Sequence, residues 1–229
     1  IWLLLMGLSV VWLGSLVYLA QDLGKAKSKP KISHIFSSSR DINYLSAARM
    51  CLFGARDAWF VVALPVYLSS VFGWDHWWVG GFIALWVVGY GVTQSLAPVI
   101  TGKRSGKTPT GQDAQAWALA LVCTPAIIAG LLYYQVSPMV SLVGGLLLFG
   151  VVFAVNSSLH SYLIVSYARG DGTSLDVGFY YMANALGRLI GTLLSGVLYQ
   201  YGGLELCLWA STLFLFFTAV MSMKLPIHS

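Results

Sequence analysis

The chain has 229 residues, 58% of them hydrophobic and 9% charged, where an ordinary soluble domain carries about 25% charged residues. So little polar surface cannot cover a water-facing globule, and composition points to an all-α polytopic membrane protein. Thirteen Lys and Arg against eight acids leave a net charge of +5, too few and too scattered for a nucleic-acid surface.

The first element is the apolar run 1–20, "IWLLLMGLSVVWLGSLVYLA". It lacks the basic start of a signal peptide and begins abruptly without Met, so it reads as a helix inside a longer protein. Residues 21–44 are polar and Lys/Ser-rich, with Lys25, Lys27, Lys29, Lys31 and Arg40, and read as a basic linker. Six further runs follow, at 45–72, 77–101, 115–135, 138–166, 176–199 and 203–224. Each is near the ~20 residues a helix needs to cross ~30 Å of hydrocarbon, giving about seven transmembrane helices. The runs are long and continuous, unlike the short alternating segments of a barrel.

Loop charge sets the expected orientation. Lys103, Arg104 and Lys107 follow the third run, Arg169 lies in "ARGDGTSLD", and Lys224 ends the last run. The alternate loops, "FGWDHW", "YQVSP" and "QYGG", carry no Lys or Arg. The positive-inside rule then places the linker and the C-terminus in the cytoplasm. Trp74, Trp77 and Trp78 fit an aromatic belt at the outer interface. Cys51, Cys123 and Cys207 lie in apolar runs and read as small packing residues.

Charges inside the spans are the informative exception, because a charge at the bilayer centre costs about 2.5–3.5 kcal/mol on insertion scales. "ARMCLFGARDAWFVVALPVYL", 48–68, holds Arg49, Arg56 and Asp57. Seven residues apart, Arg49 and Arg56 share nearly one helix face, about 10.5 Å apart along the axis. Asp57 either pairs with a neighbouring helix or bends back to Arg56. Arg188 sits mid-span in "MANALGRLIGTLLSG", on a polar stripe with Asn184, Thr192 and Ser195. Three arginines against one membrane carboxylate leave two positive charges over, suited to a polyanion held by planar guanidinium forks. The structural alternatives are that Arg49 snorkels to the interface and that Arg56, Asp57 and Arg188 fix helix packing or a gate.

Asn156 and His160 are i, i+4 in the fifth span, where His160 either titrates to couple transport or packs as a hydrogen-bonded residue. Trp86, Tyr90 and Gln94 form a stripe that either lines a cavity or packs between helices. The small-residue ladders Gly187–Gly191–Ser195, Gly54–Ala58 and Gly80–Ala84 invite close helix approach. Pro65, Pro98 and Pro125 are expected kinks.

Six helices after a long basic loop, with one helix before it, resemble the C-terminal half of a major facilitator superfamily transporter. "GKRSGK" at 102–107 is similar to that family's basic turn, and "GFYYMANALGRLIGTLLSGVLYQYGG" at 178–203 resembles its eleventh helix. The resemblance implies a fold in which 1–20 ends the N-terminal half, 21–44 links the halves and 45–229 is the six-helix C-terminal domain. With "FGARDAWFVVALPVYL" (53–68) and "GWDHWWVGGFIALWVVGYGVTQSLAP" (73–98), the chain resembles the branch that exports organoarsenicals. That branch expels 1-arseno-3-phosphoglycerate, the product of glyceraldehyde-3-phosphate dehydrogenase acting on arsenate.

The expectations are therefore a monomeric secondary transporter in a bacterial inner membrane, functionally linked to that dehydrogenase. Its partners are lipid and a small anion, not nucleic acid. Arg49, Arg56, Arg188, Asn184, Tyr90 and Gln94 are the expected substrate ligands, and Asp57 and His160 the coupling or gating groups. No Walker loop, metal cluster or nucleophile–base set is apparent, so no enzyme, cofactor or metal is expected. A facilitator for another organic anion or drug is the nearest alternative, and a seven-helix receptor the alternative of another class.

Overall fold

The computed structural model describes residues 2–18, 39–102, 108–168 and 173–226. Its helices are α1 (Trp2–Tyr18), α2 (Arg40–Phe60), α3 (Ala63–Ser70), α4 (His76–Ile100), α5 (Gly111–Tyr133), α6 (Pro138–Tyr167) and α7 (Thr173–Ser222), with no strand among the described residues. The chain divides into two units, Ile1–Ser33 and His34–Ser229. In the first unit, α1 is a 17-residue apolar helix. The Ser9 and Ser15 hydroxyls of α1 donate to the carbonyls of Leu5 (2.8 Å) and Trp12 (2.7 Å), which hides their polarity within the helix.

In the second unit, Arg40–Ser70, His76–Ile100, Gly111–Tyr133, Pro138–Tyr167 and Thr173–Ser222 are long and apolar enough to cross a membrane. The protein is thus built as a multi-pass helical membrane protein. α2 starts about one turn earlier than the run predicted at 45, because Ile42 and Leu45 are fully buried and Asp41 favours the helix N-terminus. The first long stretch is interrupted at Val61–Val62, between α2 and α3. Pro65 explains the break, since its ring excludes the carbonyl four residues back, that of Val61. The Ala63 N–H, at the start of α3, donates to the Ser195 hydroxyl at 3.1 Å.

α7 is 50 residues long, about 75 Å if straight, which is more than twice a bilayer. It is in fact two arms joined at Gly202 and Gly203, and Gly203 has φ +63°, the region glycine tolerates best. Cys207 Sγ lies 3.6 Å from the Ser195 carbonyl, where a straight helix would hold these residues about 18 Å apart. The arms, 173–201 and 204–222, therefore fold back as a hairpin, in agreement with the predicted runs 176–199 and 203–224.

Contacts between helices set their directions. Gly187 packs on the Met50 carbonyl and Gly191 on Gly54 and Ala58, so α2 and the first arm of α7 run parallel. Thr218 donates to the Ala48 carbonyl at 3.4 Å, and a methyl added at Gly54 would sit 3.6 Å from Phe214, so the second arm runs antiparallel to α2. At one end of the bundle, Ile42, Leu45, Ala114, Leu163, Tyr180 and Leu225 pack together. These come from the starts of α2, α5 and α7 and from the ends of α6 and the second arm. At the other end Leu68, Val79, Leu132, Leu142 and Leu204 join a second core with Trp59, Phe149 and Phe153. The segments of this unit therefore alternate in direction, as six consecutive spans must.

The ladders predicted at Gly54–Ala58 and Gly187–Gly191–Ser195 are the α2–α7 seam itself. The Gly80–Ala84 ladder is not a seam: nothing lies within 4 Å of a methyl added at Gly80, and that face of α4 is exposed. Four-residue spacing marks a smooth stripe without saying which stripe meets a neighbour. Trp77 and Trp78 are exposed at the start of α4, where Asp75 Oδ1 accepts from their backbone N–H groups at 2.8 and 3.0 Å. The predicted linker, apart from residues 39–44, and the "KRSGK" and "RGDG" stretches lie outside the described residues.

Candidate functional site

The membrane charges converge where α2, α6 and the first arm of α7 meet. Asp57 is the centre: its side chain is 1% exposed and each of its oxygens holds a different arginine. Arg56 Nε donates to Oδ1 at 2.6 Å and Arg188 Nε donates to Oδ2 at 3.1 Å. Asp57 thus pairs with the neighbouring helix and with the residue beside it, so both sequence alternatives hold at once. Arg188 remains 55% exposed along its side chain and Arg56 13%. Neither arginine's η nitrogens hydrogen-bond to a described residue. The Nε of each faces the carboxylate, which leaves its Nη1/Nη2 edge, two parallel donors, for another oxyanion.

Arg49 lies two turns earlier on α2 and is 4% exposed. It does not snorkel to a helix end. One η nitrogen donates to the Ser157 carbonyl (2.9 Å) and hydroxyl (3.1 Å) on α6. Its guanidinium lies over Phe53 at 4.1 Å and over Tyr180 at 5.1 Å, while Nε has no partner. Arg56 also lies over Phe53, at 4.9 Å, and over Phe153, at 5.4 Å. One phenyl ring therefore touches both cations, which offsets part of the cost of removing them from water.

The remaining candidates border this cluster unevenly. Tyr90 rests on Phe153 (5.8 Å) and stacks on Trp86 (5.7 Å), whose indole N–H donates to the Leu146 carbonyl at 3.0 Å. Gln94 Nε2 is 3.5 Å from the Ser157 hydroxyl, at the long limit of a hydrogen bond. Asn184 is one turn before Arg188, with Oδ1 buried and unpartnered. Asn156 and His160 are fully buried on α6, and neither the amide of Asn156 nor either ring nitrogen of His160 has a hydrogen-bond partner among the described residues. Trp86 and Tyr90 also wall an apolar groove of about 420 Å³ with Phe82, Thr93 and Gly150, separate from the guanidinium forks.

Four participants escaped sequence reasoning: Phe53, Phe153, Ser157 and Tyr180. Phe53 had a visible signal, since it is four residues after Arg49 and three before Arg56, the spacing that stacks side chains on one helix face. Ser157, Phe153 and Tyr180 had none, because their partners are about a hundred residues or more away in sequence.

Chemically the cluster is rich in cations. Two guanidiniums hold one carboxylate and keep their Nη donor pairs open, and a third, that of Arg49, is held by Ser157 and two aromatic rings. No family model matches the chain, and no curated protein matches it.

Proposed function

We propose that the protein is a secondary transporter for a multiply charged organic anion, a major facilitator whose passenger is 1-arseno-3-phosphoglycerate, exported from a bacterial cytoplasm to give arsenate resistance. It acts by alternating access and not as an enzyme. It lies in the inner membrane with its C-terminus cytoplasmic, works as a monomer, and depends on a glyceraldehyde-3-phosphate dehydrogenase to make its passenger. The observation that carries this reading is the excess of arginine over carboxylate where α2, α6 and the first arm of α7 meet. Four charged groups within a bilayer cost roughly 10 kcal/mol or more to insert. That is comparable to the whole stability of a domain, about 5–15 kcal/mol. A lining this expensive is retained where a polyanion uses it, and arginine forks match the phosphate, arsenate and carboxylate oxygens of this passenger. A sugar or a cationic drug would gain nothing from it.

In this reading Arg56 and Arg188 grip the anion through their Nη edges. Arg49, Asn184, Tyr90 and Gln94 complete the wall, while Asp57 and His160 serve coupling or gating. The test is arsenate tolerance of a sensitive bacterium expressing the complete gene product, with and without the companion dehydrogenase. Tolerance should require the dehydrogenase and should fall to the vector level in Arg56→Ala and Arg188→Ala at equal membrane abundance. Tolerance independent of the dehydrogenase rejects the arsenical passenger. Wild-type tolerance in both variants rejects the arginines as its ligands.

A further inference from the structure

The clasp has an odd stoichiometry: one carboxylate, fully enclosed, spends both oxygens on two arginines that the proposed passenger also needs. Asp57 is 1% exposed, so water does not dilute its charge, and it reaches Arg56 at 2.6 Å and Arg188 at 3.1 Å. Without it the two guanidiniums would present a charge of +2 to an incoming anion; with it they present +1. Its hydrogen bonds use only the Nε atoms and leave the Nη edges open, so the carboxylate lowers the charge of the site without blocking its donors. No other acid among the described residues bonds to either arginine.

We infer that Asp57 sets how tightly the arginine pair holds its anion, as a fixed internal counter-charge that keeps the site releasable. The inference rests on the anion-transport reading and concerns the same site. A carrier must let its passenger go at each turnover. A pair of arginines in a low-dielectric setting with no opposing charge would bind a phosphate-bearing anion too tightly to do so. A purely structural Asp57 predicts the opposite effect of its removal: the forks lose their anchor and anion binding weakens. The sign of the change in affinity therefore separates the two roles, and misfolding cannot produce a gain.

The experiment is calorimetric titration of the purified full-length protein in lipid nanodiscs, with inorganic phosphate and with 3-phosphoglycerate, at one pH and ionic strength. In Asp57→Asn, which keeps shape and an acceptor, both anions should bind at least about tenfold tighter than in wild type. Vesicle export by the same variant should slow, so that KM and turnover fall together. Asp57→Glu, which keeps the charge, should stay within about threefold of wild type. A second arm leaves Asp57 in place: Asn184→Asp adds a carboxylate one turn from Arg188 and should weaken both anions at least about fivefold.

Unchanged or weaker binding in Asp57→Asn overturns the inference. So does unchanged affinity in Asn184→Asp, even if Asp57→Asn yields no folded protein. If wild type binds and Arg56→Gln and Arg188→Gln do not, anion binding at the arginines stands and only the role of Asp57 is at stake. If wild type binds neither anion, both readings fall together.

Discussion

At the scale of single residues, Arg49 is a costly group to bury. It is 4% exposed, has two hydrogen bonds to Ser157 and two ring faces, and has no carboxylate partner among the described residues. A cation held for packing alone would be better replaced by an apolar chain of similar length, since isosteric removal of buried charge is often neutral or stabilising. Arg49→Met should therefore raise thermal stability by about 1–2 kcal/mol and, on the proposed anion-transport reading, abolish arsenate tolerance, the trade expected where function retains a costly group. Thermal unfolding in detergent checks it, and a loss of more than about 1 kcal/mol would show that the cation holds the fold. The cations and their carboxylate were legible in the sequence, because a charge in an apolar run stands out without alignment. Their mutual arrangement was not. Nothing in a linear pattern says that Asp57 meets Arg188, 131 residues later, or that Ser157 receives Arg49.

At the scale of elements, the seam between α2 and the first arm of α7 decides where the arginines stand. Its glycines bring the two backbones together: a methyl at Gly187 would overlap the Met50 carbonyl, and one at Gly191 would lie 3.0 Å from the Gly54 Cα. Gly187→Ala should cost about 1–3 kcal/mol by forcing the helices apart. Gly130→Ala on α5, where nothing lies within 4 Å of the added methyl, should be neutral or stabilising by up to about 1 kcal/mol. Thermal unfolding of the pair of variants in detergent is the check; equal effects would mean that the seam is not close-packed in the membrane. The spans were readable because hydropathy over ~20 residues is a strong signal. Their ends were less so: Arg40 to Tyr44 look like loop by polarity, yet Ile42 is buried, and the sequence did not show that Pro65 divides one run into α2 and α3. The reversal at Gly202–Gly203 was readable, since a double glycine falls between two apolar runs that are each long enough to span.

At the scale of the whole molecule, the alternation of segments makes a directional prediction. Arg40 and Lys224 belong to the end of the bundle where Ile42, Leu45, Ala114 and Leu225 pack. Asp75 and Ser137 belong to the other end, at the starts of α4 and α6. Single cysteines at 75 or 137, in a background with Cys51, Cys123 and Cys207 replaced, should react with an impermeant thiol reagent from outside intact cells. Cysteines at 40 or 224 should react only after lysis. Labelling of all four from one side would undo the span count.

The consecutive pair Arg56–Asp57 also bears on how such a chain enters a bilayer at all. Their ion pair lies within one helix at 2.6 Å and needs no other part of the protein. Arg188 is 131 residues downstream, roughly 7 to 26 seconds of ribosomal synthesis at 5–20 residues per second. Through that interval Arg56 already has its neutralising partner, while the companion helix has yet to be made. Arrival of the late arginine then converts a self-contained dipole into a bridge, so the trio Arg56–Asp57–Arg188 gains its net positive charge only when the last hairpin is docked.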